Sequence, residues 1–327
     1  MRILPAAALL GVVCAHAAAA APLSLRYGQA YSSAHSIFSL PVSIAEREGL
    51  FARAGLDVKV LIPIPGGSDK MIEALHDDEV DLTHVATPFL IRAAMAGSDA
   101  VAIASEFDNP IYSLIAKPEI KTIADLKGKL VGLADEAGTI AISMRKLIAG
   151  AGLRHGDFGV KVIEGTPTRL ACLHRGECDA VVLGQPQDLE AIAEGYRLVG
   201  ISNDAVPQLL YTVTAARRSW AEAHQEAITR YVRALGASFG FIRDPANREH
   251  VVKIVVETTG VAPDVAGKTL DLFFQPERGV LPRHAEIDLA GLKEVIALMG
   301  EAGNLKPPLP SAERFVDTQY LRAAVLQ

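Results

Sequence analysis

Apolar positions recur along this chain with two different periods, and the alternation between them outlines the fold. Residues 23–27 read as a short strand leading into a polar loop, 28–36. Residues 37–48 carry a helical stripe that ends at Gly49, a residue suited to the left-handed position that closes a helix. One further turn stops at Gly55, after which Leu56, Val58, Val60 and Ile62 alternate with Asp57 and Lys59, the period of a strand. A Pro/Gly loop, 63–68, precedes a helix at 69–76, a strand at 81–86, a helix at 88–96 and a strand at 100–105. The rhythm repeats beyond Asp108-Asn109-Pro110, with strands predicted at 111–116, 130–133, 160–163, 179–183 and 197–201 and helices at 139–149, 168–174 and 187–194. Thr122 and Asp125 have the spacing of a capping box, as do Ser219 and Glu222. After a strand at 209–214 the pattern turns helical: Ile228, Tyr231, Val232, Leu235, Phe239 and Ile242 share one face, Asp244-Pro245 starts a second helix that runs to Gly260, and a third spans 288–303. Strand-helix-strand alternation with short connections predicts mainly parallel sheets covered on both faces, here in two lobes.

The N-terminus changes the picture by giving the chain a destination. Arg2, an apolar run from Ile3 to Val13 and an Ala-rich stretch to Ala21 have the form of a secretory signal peptide, residues 1–20, with cleavage after Ala20. A retained anchor would need His16 and many alanines to reach the roughly 20 residues of a membrane span. A lipid-modified Cys14 would need a small residue where Val13 stands. Export removes Cys14 and leaves Cys172 and Cys178, which in an oxidising compartment are either a disulfide or two buried thiols.

Composition narrows the function. Half of the 327 residues are apolar and the formal net charge is −6; without Arg2 there are 31 basic against 38 acidic side chains. An acidic chain with no Lys/Arg cluster lacks the footprint of a nucleic-acid binder. No nucleophile elbow, phosphate-binding Gly loop, dinucleotide fingerprint or H-E-x-x-H motif occurs. His35 and His84 lie in or beside strand-end loops, where a lone histidine is commonly a satisfied polar side chain. Asp77-Asp78-Glu79-Val80-Asp81 lacks the Gly and distal Glu of a calcium loop and reads as a solvated turn. Tyr31 and Tyr112 are candidates to line a ligand slot, whereas Phe38 and Phe107 read as core. No catalytic residue, metal or cofactor is expected.

Several short motifs carry a resemblance. The run from Pro41 to Val60, the Gly66-Gly67 loop, Glu79-Val80-Asp81-Leu82 with Asp78 in place of a customary Gly, Thr122 to Lys129, Leu173 to Ala180, and Asn304-Leu305 to Tyr320-Leu321 occur in the order found in nitrate/sulfonate/taurine-type solute-binding proteins. That group includes receptors for thiamine-pyrimidine precursors. The resemblance implies a type II periplasmic-binding fold: lobe I would be 22–105 plus 209–327, lobe II 106–208, with hinge crossovers near Glu106 and Asn203. It further implies an extracytoplasmic, periplasmic receptor of an ABC importer, acting as a monomer with an inner-membrane permease as partner. A precursor-synthesising enzyme on the same fold, or a sensory ligand-binding domain, are the alternatives.

In open α/β sheets ligands bind beyond the carboxyl ends of the strands. Lobe I would therefore supply Gln29, Tyr31, His35, Gly67, Ser68 and Thr87, and lobe II Asn109, Tyr112, Gly138, Thr139, Arg169 and Gln185. Gly67-Ser68 and Gly138-Thr139 open helices whose amides suit an anionic or strongly polar group. Arg169 is placed for a bidentate contact to a carboxylate or sulfonate, or for a surface ion pair with Glu164. Asp108, Asp135, Glu136 and Glu164 oppose an anion. The expected ligand is a small polar or anionic molecule of the sulfonate, nitrate, aromatic-acid or pyrimidine class. N-terminal sequencing of exported material is expected to begin at Ala21; an intact Met1 or an acylated Cys14 would overturn that expectation.

Overall fold

The computed structural model describes residues 21–325 except 65, 110, 155 and 276–278. The expected signal peptide and Cys14 lie outside the described residues. Among those described, no helix is long and apolar enough to cross a membrane.

Among the described residues, ten strands form two five-stranded sheets. The first contains β1 (Leu23–Ala30), β2 (Leu56–Ile64), β3 (Leu82–Ala86), β4 (Ala100–Phe107) and β10 (Thr212–Arg217), in the order β2-β1-β3-β10-β4. The second contains β5 (Ser113–Ala116), β6 (Leu130–Leu133), β7 (Gly159–Val162), β8 (Ala180–Leu183) and β9 (Arg197–Ile201), in the order β7-β6-β8-β5-β9. In each sheet four strands point the same way and one runs against them: β10 is antiparallel to β3 and β4, and β5 to β8 and β9. These two strands are the ones entered directly after the chain has crossed between the sheets. A crossing segment arrives at the carboxyl ends of its neighbours, so the strand it feeds must run away from them.

The two sheets repeat one device that sequence self-comparison does not reveal. Asp81, just before β3, accepts hydrogen bonds from the Arg26 amide at 2.8 Å and from the Arg26 guanidinium at 2.6 Å. Asp179, just before β8, accepts from the Leu130 amide at 3.0 Å and from Lys117 Nζ at 2.8 Å. Each aspartate thus fastens the start of one parallel strand to the next. Three residues earlier stand Asp78, φ 58°, and Gly176, φ 70°. The position demands left-handed backbone, which aspartate tolerates better than most residues, so Asp78 takes over a glycine's role.

Helices cover both sheets. The helix Gln225–Arg243 buries Ile228, Tyr231, Val232, Leu235, Phe239 and Ile242, the set its spacing predicts. Phe38 and Phe107 meet edge to face, centroids 4.8 Å apart, within the same core. Cys172 and Cys178 are joined as a disulfide, their Cα atoms 5.5 Å apart across the turn between the helix Thr166–His174 and β8.

Two expectations need correction. The helix Pro263–Phe273, which buries Ala266, Thr269, Leu270 and Phe273, is absent from the sequence-based reading. Its Gly267-Lys268-Thr269 stretch weakens the apolar stripe, although Pro263 marks its first turn. Ser219 and Glu222 form no capping box: Ser219 lies inside the helix Arg218–Ala223, and its hydroxyl and amide both donate to Asp99.

Gly291, in the helix Leu289–Glu301, abuts the return crossing. A methyl there would stand 2.5 Å from the Leu209 carbonyl carbon and 2.8 Å from the Leu210 nitrogen. Gly291→Ala is expected to lower the thermal midpoint even though alanine is worth about 1 kcal/mol in a free helix, because overpacking against backbone costs about 1–3 kcal/mol. A neutral or stabilising result would mean that the crossing shifts freely.

Candidate functional site

The crossings themselves form the floor of the site. The Tyr211 amide donates to the Phe107 carbonyl at 3.0 Å, and the Ser202 amide donates to the Tyr112 carbonyl at 2.9 Å. Thr87 donates its hydroxyl to the Leu210 carbonyl at 2.6 Å, and the Asn109 side-chain amide donates to the Pro207 carbonyl at 2.5 Å. Both residues were expected in a binding role; their hydrogen bonds serve to pin the crossings. Tyr112 is likewise buried below the surface, its hydroxyl 3.0 Å from that of Tyr211 and its ring stacked on Phe38. Burial holds the Tyr112 phenol well above the usual range and pushes that of Tyr211 up to about 12.

Above this floor lies a cavity of about 230 Å³. Ala30 and Ala86 border it at the ends of β1 and β3, and Val162 at the end of β7, with Ala134 just past β6. Ser33, Gly67, Ser68, Asp69, His84 and Phe89 complete the side of the first sheet. Asp135, Gly138, Thr139, Ile140, Glu164 and Gly165 form the opposite wall, and Tyr211 spans the base. The cavity therefore sits at the carboxyl ends of strands from both sheets, where open α/β folds bind their ligands.

Of the twelve candidate residues, the structure brings Gly67, Ser68, Gly138 and Thr139 to this cavity. Gln29 is buried beside cavity-lining Ala30, with its amide nitrogen lacking a hydrogen-bond partner. His35 is exposed on the loop after the turn Tyr31–Ala34; the Tyr31 side chain lies outside the described residues. Gln185 donates to Asp188 at 2.7 Å inside the second lobe, and burial raises the pKa of the Asp188 carboxyl.

Arg169 differs most from its expected role. It is 2% exposed and donates to the Val182 carbonyl at 2.6 Å, the Ile163 carbonyl at 2.9 Å and the Thr166 hydroxyl at 3.0 Å. Its guanidinium ties helix Thr166–His174 to β8 and the end of β7, reaching neither the cavity lining nor Glu164. The helix that starts at Thr139 also departs from expectation. Asp135 accepts hydrogen bonds from the amides of Ala137, at 2.8 Å, and Gly138. A carboxylate of the chain thus stands beside the helix start at which an anionic group was expected.

His84 is the cavity residue with the deepest support. Its Nδ1 lies 2.6 Å from Glu106 Oε2. Glu106 is fully buried and also accepts from Tyr27 Oη at 3.0 Å and Thr214 Oγ1 at 2.7 Å. Burial first, then the Glu106 charge, keeps the Tyr27 phenol protonated. One carboxylate thereby links β1, β3, β10 and β4.

Residues 38–247 match the family described as NMT1/THI5 like. The chain belongs to that family. A curated relative from Haemophilus influenzae, named "Putative thiamine biosynthesis protein", is 32% identical over 94 residues; the match spans 28% of this chain and 29% of that relative's length. Among solved structures, the periplasmic aliphatic sulphonate binding protein SsuA of Escherichia coli superposes with a TM-score of 0.71 at 19% identity, covering 91% of this chain and 92% of SsuA. The periplasmic nitrate-binding protein NrtA of Synechocystis PCC 6803 superposes with a TM-score of 0.76 at 15% identity, covering 93% and 89%. At these identities the likeness establishes the fold, that of periplasmic binding proteins, for this NMT1/THI5-like chain.

The segment after β4 supplies a pH test. Ser105 donates to Asp108 Oδ1 at 2.6 Å. Burial pushes the Asp108 carboxyl up to about 8; the Ser105 bond opposes this, Asp288 and Glu286 add to it, and Arg243 opposes it. The folded carboxyl holds its proton more tightly than the unfolded one, whose pKa is about 4. Stability from the protonated group is thus complete below about pH 4 and lost as pH rises through about 8. Between about pH 5 and pH 9 the thermal midpoint of the wild type should fall relative to that of Asp108→Asn, which stays neutral. Parallel profiles would refute this assignment.

Proposed function

We propose that this chain is the extracytoplasmic solute-binding receptor of an ABC importer, capturing a small polar organic ligand between two lobes that close on it. The observation that carries the reading is the cavity at strand carboxyl ends from both sheets, bordered by Ala30 and Ala86 on one side and Ala134 and Val162 on the other. A ligand that touches both walls gains its full contacts only when the walls meet, so it favours the closed population. The lobes are 22–105 plus 209–327 and 106–208, and the two crossings near Glu106 and Asn203 serve as the hinge. Family membership and the periplasmic binding proteins that share the fold support this assignment, with a periplasmic location and an inner-membrane permease as partner. At about 230 Å³ the cavity is smaller than the roughly 300–1,000 Å³ of sites for drug-sized molecules, which favours a compact ligand.

The likeness to a protein named for thiamine biosynthesis favours a second reading, a thiamine-pyrimidine-precursor enzyme on this fold. A receptor releases its ligand unchanged, whereas an enzyme of that kind returns a different compound, so mass analysis of ligand recovered after prolonged incubation separates the two.

A thermal-shift screen across sulfonates, nitrate, aromatic acids, pyrimidines and small amines should find a ligand that adds about 2.7 kcal/mol at 100 times its Kd. Small-angle scattering with that ligand should show a smaller radius of gyration. An unchanged radius at saturation would overturn closure between the lobes.

A further inference from the structure

The receptor reading leaves the charge of the ligand open, and the cavity wall bears on it. Among the described residues three carboxylates line the cavity: Asp69 from the first lobe, and Asp135 and Glu164 from the second. No lysine or arginine stands among the described residues that line it. A methyl at Gly67 would lie 3.5 Å from an Asp69 oxygen and 3.8 Å from a Glu164 oxygen, so carboxylates of opposite lobes converge on that glycine. Both side chains are exposed at the mouth.

The nearby positive groups are already committed. Arg92 is partly buried, donates to the Ala137 carbonyl at 3.1 Å and lies over the Phe89 ring at 4.2 Å; burial lowers its pKa. Arg169 is bound to two carbonyls and a hydroxyl, and His84 Nδ1 is held by Glu106. Just before the helix Thr139–Gly150, Asp135 accepts from the amides of Ala137 and Gly138, so a negative charge of the chain already stands beside that helix start.

A second, independent feature points into the same space. Thr139 lines the cavity, is 3% exposed, and its hydroxyl oxygen is buried without a hydrogen-bond partner. A buried hydroxyl left unmatched is costly, and a polar ligand atom, an N–H among them, would satisfy it. Phe89 and Tyr211 add aromatic rings to the lining; Arg92 already lies over the Phe89 ring. Among the described residues no three His, Cys, Asp or Glu side chains are grouped to hold a metal ion. The carboxylates are spread around the mouth, an arrangement suited to the several N–H donors of an organic group.

We propose that the ligand is a compact organic cation, an ammonium or amidinium on a small apolar or aromatic body, and that its positive group bridges Asp69 and Glu164. Resting on the receptor reading, this assignment deepens it in one respect. Without ligand, two like charges face each other from opposite lobes and oppose closure. A cation between them reverses the sign of that interaction, so the same group that is recognised also draws the lobes together.

Calorimetric titration of the exported chain with benzamidine, benzamide, benzoate and benzenesulfonate separates charge from ring shape. Benzamidine is expected to bind at least about tenfold more tightly than benzamide, a difference of about 1.4 kcal/mol, with the two anions weaker still. In the double variant Asp69→Asn/Glu164→Gln the preference for benzamidine should vanish, and an unchanged unfolding midpoint would show that the fold is intact, both side chains being exposed. If either anion binds more tightly than benzamidine, or if the double variant keeps the preference, the cation assignment is overturned while the receptor reading stands. Binding of none of the four at millimolar concentration also overturns it. The ligand screen with scattering then decides separately whether the receptor reading falls too.

Discussion

Two backbone segments, hydrogen-bonded to each other, link the two sheets, and the rest of the architecture follows from where they cross. The Phe107–Tyr211 and Tyr112–Ser202 pairs hold the outgoing and returning chain side by side. Because both crossings lie at the carboxyl ends of the strands, β5 and β10 must run against their neighbours, and the space above the crossings becomes the cavity. Side chains at this junction therefore serve the joint: Thr87 and Asn109 anchor the return segment, and the Tyr112–Tyr211 hydroxyl pair spans it. Few links between two packed bodies are the arrangement on which the proposed closure rests.

Each body is braced from within. In the first lobe a fully buried carboxylate provides part of that bracing. Glu106 accepts from Tyr27 and Thr214 and pairs with His84, so a charge that would be costly to bury alone is surrounded by oriented partners from three neighbouring strands. Removing one partner from such a network costs more than the network's net contribution to folding, which favours a single arrangement of the sheet. His84 carries this order to the cavity wall. In the second lobe Arg169 has a comparable structural office, tying a helix to two strands through carbonyl oxygens.

Likeness of fold does not carry likeness of ligand. The superposed proteins named for sulphonate and nitrate share this chain's topology at under a fifth of its residues. Recognition resides in the few side chains at the strand ends. In this chain Asp69, Asp135 and Glu164 are among the side chains that line the cavity. One of them, Asp135, accepts from the amides of Ala137 and Gly138, just ahead of the helix Thr139–Gly150.

What the sequence alone determined is most of what depends on neighbours along the chain. The order of strands and helices, the left-handed glycines at 49, 55 and 128, the stripe of the helix Gln225–Arg243 and the Gly-led helix starts at 67–68 and 138–139 are all set by local periodicity and backbone preference. Local signals failed where they were weak or shared. Gly267 interrupts the stripe of Pro263–Phe273, and Ser219 answers to Asp99, 120 residues away, in preference to its own helix end. The tertiary structure decided which polar groups meet. Arg169 has a ligand-binding look in sequence, yet its partners are carbonyls of strands that only folding places around it. Asp69 and Glu164 sit in separate lobes, and nothing in either segment announces the other. The pairing of Asp81 with β1 and of Asp179 with β6 makes the two lobes repeats of one plan without a repeated sequence. Periodicity reports which face of an element is buried; it carries no information about which distant side chain will stand opposite, because that is fixed by how the elements pack.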